Sequence, residues 1–254
     1  MHKTRLNKFA IQLRVITMKS IFLSHLCDKI IKLAVAVASV LTLNACSTQS
    51  LQSGQNYCSG SANYTVIFQS QWSAVIHPSD FPDNPHYSKL VGAVHNADFT
   101  LWQTGAMASS GVKYVAEQGN NYAIEKEINQ AIKLKSAKAY IDGVDMKVSP
   151  GIVQTEFTVD KHFPKVSLIS MIAPSPDWFV GVSGLSLCEN NTWVVNKTLA
   201  LKAYDSGTDS GIAYTAENKE TVPKTAISLL TNGIHNENGK ILQMATISFK
   251  LKGE

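Results

Sequence analysis

From residue 138 onward the chain is a succession of short runs rich in β-branched and aromatic residues, set apart by turn residues, and no other feature constrains its fold as tightly. The runs are Ala139–Ile141, Thr155–Val159, Val166–Ile172, Trp178–Val182 and Trp193–Val195, with Tyr64–Phe68 before them and Leu242–Leu251 after. A strand presents alternate side chains to opposite faces, so runs this short and this apolar need a second layer to bury them. Short strands at this spacing, with few helices between them, predict a β-sandwich. Two helices are expected, Ser110–Glu117 and Tyr122–Leu134; in the second, Ile124, Ile128, Ala131 and Ile132 recur at helical spacing. A helical turn is also expected over Ser88–Val94 and a short strand over Phe99–Trp102, while the proline-rich stretch 77–87 is loop.

Composition removes several classes. Of 254 residues 44% are hydrophobic and 17% charged, which excludes a disordered chain. The net charge of +4 belongs to the leader: residues 1–45 hold seven Lys and Arg against one acidic residue, leaving 16 basic and 18 acidic residues for the rest. Nothing in that balance argues for nucleic acid as a partner.

Within the leader, Leu33–Leu43 is an uncharged apolar run behind Lys29 and Lys32. It is too short to span a bilayer comfortably and has the layout of a secretory signal. Starting at Met18 would give a leader of more ordinary length. The run ends in Leu43-Asn44-Ala45-Cys46, which resembles a bacterial lipobox and implies lipidation of Cys46. Ser47, rather than aspartate, then favours outer-membrane sorting. An ordinary signal peptide with an incidental cysteine is the alternative. The expected organisation is a signal peptide over 1–45, a flexible tether over 46–61, a folded domain over 62–223 and an extension over 224–254 that adds a strand. The expected location is the bacterial cell envelope, periplasm-facing or at the surface, with the membrane as partner through the lipid anchor.

Of the four cysteines, Cys27 leaves with the leader and Cys46 carries lipid, so Cys58 and Cys188 remain. In an oxidising compartment a disulfide between them is the natural pairing, with two separate buried thiols as the alternative.

Several stretches match one family together. They are Phe68–Trp72 with His77-Pro78, His86–Ser88 with Gly92–His95, Leu101-Trp102 with Gly105 and Ala108, and Ser110–Val112 with Ala116–Gly119. The longest are Ser170–Val182 (SMIAPSPDWFVGV) and Asp205–Gly211 (DSGTDSG). The chain thereby resembles the spondin N-terminal (F-spondin) domain over about residues 62–223. The resemblance implies a mainly β fold, a C2-like antiparallel β-sandwich of about eight strands with a few short helices. It implies a calcium ion (Ca2+) bound at loops, with Asp177, Asp205 and Asp209 aligned on the family's metal-binding aspartates. It also implies a Cys58–Cys188 disulfide, and adhesion to a protein or glycan, as in the extracellular-matrix relatives.

Catalytic motifs fail on spacing. Gly181-Val182-Ser183-Gly184-Leu185 lacks the second glycine of a nucleophile elbow. The histidines show no metal-ligating pair with a glutamate. Read as an EF-hand from Asp205, the loop has Gly207 at position 3, Ser210 at position 6 and Ala216 at position 12, none of them the required residue. Glu117 ends a helix against the dipole, which hints at a partner, although a plain surface glutamate is the simpler reading. The function expected is an envelope-anchored, calcium-binding adhesion or recognition module without catalysis. The alternatives are an enzyme acting on envelope polysaccharide and a purely structural envelope lipoprotein.

Overall fold

The computed structural model describes residues 58–231 and 233–253; the leader, including Cys46, lies outside the described residues. The protein is mainly β with a few short helices. Eight strands have five or more residues: β1 (Ser61–Ser70), β2 (Val91–His95), β3 (Ala137–Asp142), β4 (Ile152–Asp160), β5 (Lys165–Ala173), β6 (Trp178–Ser186), β7 (Asn196–Leu201) and β8 (Ala245–Leu251). Two helices, α1 (Ser110–Gln118) and α2 (Tyr122–Lys133), stand where the sequence places them.

A four-stranded antiparallel sheet runs in the order β7-β8-β1-β4. The last strand thus sits inside this sheet, between β1 and β7. A seven-stranded sheet contains β6, β5, β2 and β3 in that order. The short pairs Tyr204–Asp205 and Ser228–Leu229 extend it beyond β6, and His86–Tyr87 pairs with one end of β5. Strand β1 shows how sequence becomes layer: Ala62, Tyr64, Val66, Phe68 and Ser70 are buried and the residues between them are not. That period of two points one face inward. Across the core it meets Val94, Leu168, Val180 and Val182 of the other sheet, together with Ile247 and Phe249 of β8.

The seven-stranded sheet is covered on its far side as well. Val112, Val115 and Ala116 of α1, with Ile124 and Ile128 of α2, pack on Val91, Ala93, Ile169 and Phe179. Strand β2 is therefore buried at all five residues and loses the alternation that marks a half-exposed strand. This is why Ser88–Val94 suggested a helical turn instead. Gly92 lets β2 approach β5, since a Cβ there would sit 1.9 Å from the Ser167 carbonyl oxygen. Phe99–Trp102 is loop rather than strand, fixed from outside by Trp102, whose indole Nε1 donates to the Leu168 carbonyl at 3.1 Å.

Helix α1 starts at Ser109, whose hydroxyl accepts from Val112 N, and ends at Gly119 in the left-handed conformation. Glu127 of α2 ties the two helices by accepting from Ser109 Oγ and Gly111 N, each at 2.7 Å. Cys58 and Cys188 form a disulfide, with their Cα atoms 5.8 Å apart. It pins the start of β1 to the segment that follows β6.

Candidate functional site

The aspartates singled out by the sequence meet beside β6: Asp177 in the turn before Trp178, Asp205 at the end of the short strand Tyr204–Asp205, and Asp209 in the loop that follows it. Asp177 precedes Trp178 in a turn held by Ser175, whose Oγ accepts from Trp178 N at 3.1 Å. Its side chain is fully buried. Its Oδ2 accepts from Ser206 Oγ at 2.9 Å, Thr208 N at 2.7 Å, Thr208 Oγ1 at 3.3 Å and Asp209 N at 3.0 Å. One carboxylate oxygen thereby fixes the turn 206–209. The other, Oδ1, is buried and has no hydrogen-bond partner.

Asp205 and Asp209 shape their own loop. Gly207 N donates to Asp205 Oδ1 at 2.6 Å, Gly211 N to Asp209 Oδ1 at 2.7 Å and Lys219 N to Asp209 Oδ2 at 2.9 Å. The first two are short aspartate turns of the kind such a sequence predicts, while the third ties Asp209 to a segment ten residues on. Gly207 has φ of +75°, and a Cβ there would fall 2.1 Å from the Thr225 carbonyl oxygen, so the loop needs glycine at that point.

The charges are not at rest. Burial raises the pKa of Asp177, opposed by the hydrogen bonds it accepts from Thr208, Asp209 and Ser206. Asp205 is pushed up to about 6, first by burial and then by the charges of Asp177 and Asp209. The three carboxylates share one electrostatic neighbourhood. Even so, among the described residues no group of three or more His, Cys, Asp or Glu side chains is placed to hold a metal ion. The expectation of a finished metal-binding cage is corrected accordingly: loop N–H groups occupy most of the carboxylate oxygens as they stand. What the loops do offer is oxygen. A carboxylate has about four lone-pair sites, so a bonded oxygen retains capacity, and an all-oxygen donor set suits a hard cation.

Ser206 and Thr208 were not singled out from the sequence. Their hydroxyls anchor the loop on Asp177, and the only advance signal is their place inside DSGTDSG. A second buried polar group was missed altogether. Of the nine buried side-chain N and O atoms without a partner among the described residues, seven belong to Trp72, His77, Trp178, Tyr214 and His235. The His235 ring packs edge-on against Trp178 at 4.7 Å and against Tyr214 at 5.6 Å. Burial, with the neighbouring His77, pulls the pKa of His235 down to about 4. Burial also lowers His77, against the carbonyls of Gln243 and Ser73 and the charge of Glu237.

Catalytic arrangements do not emerge. Ser183 Oγ donates to the Trp102 carbonyl. Ser167 Oγ stands 2.8 Å from His95 Nε2, the one side-chain serine–histidine contact in hydrogen-bond geometry among the described residues. Both residues are buried. His95 Nδ1 lies 2.7 Å from the Asn96 carbonyl, which can only accept, so Nε2 accepts from Ser167. Ser167 Oγ also takes Gly184 N at 2.8 Å, and no substrate reaches it. Glu117 has its partner in Lys113, one helical turn earlier, which accounts for an acidic residue near a helix C-terminus.

Comparison with known proteins gives a consistent result. The Spondin_N family model matches residues 62–242. Spondin-1 of Gallus gallus is 38% identical over 188 residues, covering 70% of this chain and 23% of that protein. Spondin-1 of Homo sapiens is 36% identical over 204 residues, covering 74% and 25%. Spondin-2 of Homo sapiens is 34% identical over 185 residues, covering 70% and 56%. The chain thus spans about a quarter of the Spondin-1 relatives and about half of Spondin-2. These relatives are vertebrate proteins, which corrects the expectation of a bacterial envelope lipoprotein. The outer-membrane or periplasmic location and the membrane partnership through a lipid anchor on Cys46 fall with it. Among the described residues no catalytic arrangement is assembled around Ser183, Ser167 or the histidines.

Proposed function

The chain belongs to the Spondin_N family, and from that premise we propose that it is an adhesion or recognition module whose loop end is set by calcium. The eight longer strands are read as a C2-like antiparallel sandwich, a reading supported by the core that both sheets share. Asp177, Asp205 and Asp209 would hold the ion. Calcium supplies two positive charges and a demand for six to eight oxygens. The rest is the work of this chain's residues. Asp177 holds the turn 206–209 through Oδ2 and keeps Oδ1 aside. Asp205 carries a carboxylate that its neighbours disfavour until a cation offsets them. The observation that carries the reading is the buried, unpartnered Oδ1 of Asp177, since such an oxygen costs free energy unless something pairs with it.

Recognition of a protein or glycan is proposed from the family, and the Cys58–Cys188 disulfide supports function in an oxidising compartment. Thermal melting tests the cation. At a hundredfold excess over its dissociation constant, calcium adds about 2.7 kcal/mol, or roughly 5–10 °C in Tm for a domain of this size. Asp177→Asn should erase that shift. Identical melting curves in chelator and in millimolar calcium would remove the ion from the account. Binding to an array of matrix proteins and glycans tests the recognition: a saturable signal on one class of spot supports it, and a blank array overturns it.

A further inference from the structure

Two hollows adjoin where residues 96–104 run over the seven-stranded sheet. The larger, of about 640 Å³, lies between that loop, Gly181–Leu185 of β6 and Leu199–Leu201 of β7. The smaller, of about 310 Å³, lies between Asn96–Asp98 and the β4–β5 turn that carries Lys161, His162 and Lys165. They meet at Ala97 and Lys165, which line both.

Local structure fixes the walls. Between the pairs Leu168–Val182 and Val166–Leu185 the β5–β6 ladder sets Ser183 and Gly184 against Ser167 alone. This is a bulge, and Gly184, at φ +62°, supplies the left-handed residue that it needs. Ser167 Oγ holds it by accepting from Gly184 N. The bulge leaves Ser183 exposed on the wall, where its hydroxyl donates to the Trp102 carbonyl and keeps its lone pairs for a ligand. The loop is held as well: Asp98 N donates to Asn96 Oδ1 at 2.9 Å, and Trp102 Nε1 to the Leu168 carbonyl. Walls locked in advance spare a ligand the cost of ordering them.

The chemistry of the lining narrows the ligand. Thr100, Gln103 and Thr104 are exposed and bring hydroxyl and amide groups to the larger hollow, beside the half-buried rings of Phe99 and Tyr204. Donors and acceptors mixed with ring surface suit a polyhydroxylated ring. In the smaller hollow Lys161 and Lys165 make no ion pair among the described residues. Asp160, next to Lys161, is taken by Lys138 at 2.7 Å. Asp98 is the one carboxylate in the lining, and it accepts from hydroxyl donors but repels another carboxylate. A ligand that carries hydroxyls and a single negative group answers both.

We propose that the two hollows form one site for an acidic saccharide, with a neutral ring between residues 99–104 and the β6 bulge and a carboxylate or sulfate between Lys161 and Lys165. The inference rests on the recognition reading and names its ligand class. It does not involve Asp177, which stands before the start of β6.

The test is calorimetric titration of the disulfide-intact protein, in calcium and again in chelator. The probes are a sulfated heparin tetrasaccharide, an unsulfated hyaluronan tetrasaccharide, neutral chitotetraose and tetraglutamate. At least one of the two charged saccharides should bind saturably in both buffers: heparin alone assigns the anion as sulfate, and hyaluronan binding assigns it as carboxylate. Chitotetraose should bind at least about fivefold more weakly, and tetraglutamate should not bind. Lys161→Gln and Lys165→Gln should each weaken the charged saccharide about fivefold, and Lys165→Arg should retain it. Lys161 is exposed and Lys165 partly so, and the variants should melt as the wild type does. Amide shifts on titration should fall on residues 97–104 and 181–185. No saturable binding of either charged saccharide, shifts elsewhere, equal binding of chitotetraose or tetraglutamate, or indifference to both glutamine variants would overturn the proposal. An array signal from matrix proteins alone, with both charged saccharides inert, would uphold recognition and overturn this site, so the two readings fail separately.

Discussion

His235 should make the protein acid-sensitive in a way that one substitution removes. The ring is buried, neither nitrogen has a hydrogen-bond partner, and its folded pKa is about 4 against an ordinary value of 6.5. A depressed folded pKa means that the unfolded chain takes the proton first. Stability is therefore complete above about pH 6.5 and is lost as pH falls towards 4. Between pH 7 and pH 5 the loss is about 2 kcal/mol, and below pH 4 it reaches about 3 kcal/mol. The surrounding groups are His77, whose proton would compete, Glu237, which favours charge on His77, and Tyr214, with Asp80 near it. Asp205 works the other way: with a folded pKa of about 6, its protonated form favours the fold, so that its contribution is present at low pH and lost as pH rises through 6. The two opposing groups are separated by comparing wild type with His235→Phe, in which the Asp205 contribution is unchanged. Urea unfolding at pH 7 and pH 5 should show the wild-type midpoint falling further than that of the variant, by about 1 M for a slope near 2 kcal/mol/M. Equal pH dependence in the two proteins would refute the reasoning, because no other assignment of the proton leaves His235 buried and neutral.

Two further outcomes follow from the fold. Reducing the Cys58–Cys188 bond, which closes a separation of 130 residues, should cost about 4–5 kcal/mol in the chain-entropy model, read as a drop in the urea midpoint under reductant. Gly92→Ala should destabilise by at least about 1–3 kcal/mol, because its Cβ would meet backbone at 1.9 Å and neither strand can give way without breaking its ladder; an unchanged Tm would contradict the close packing of β2 on β5.

Most of the long strands and both helices were legible because a half-buried element writes its period into the sequence. Strand β1 alternates, and Ile124, Ile128 and Ala131 share one helix face. Legibility ended where burial is two-sided or where tertiary contacts decide. Val91–His95 has no polar face to alternate with, and Phe99–Trp102 is held by a contact to Leu168 far along the chain. The DSGTDSG loop announced itself as a turn, but its anchoring on Asp177 depends on which loops the strand order brings together. The same holds for His77 and His235, whose neighbourhood exists only in the fold.

Terbium luminescence tests the central claim most directly. Terbium takes the same oxygen ligands as calcium, and Trp178 follows Asp177 in the chain, close enough to sensitise it. Titration of the chelator-treated protein, excited at the tryptophan band, should give saturable emission at one ion per chain. Calcium should displace it, and Asp177→Asn should abolish it. Absence of sensitised emission, or an equal signal from the Asp177→Asn protein, would contradict a cation at these loops.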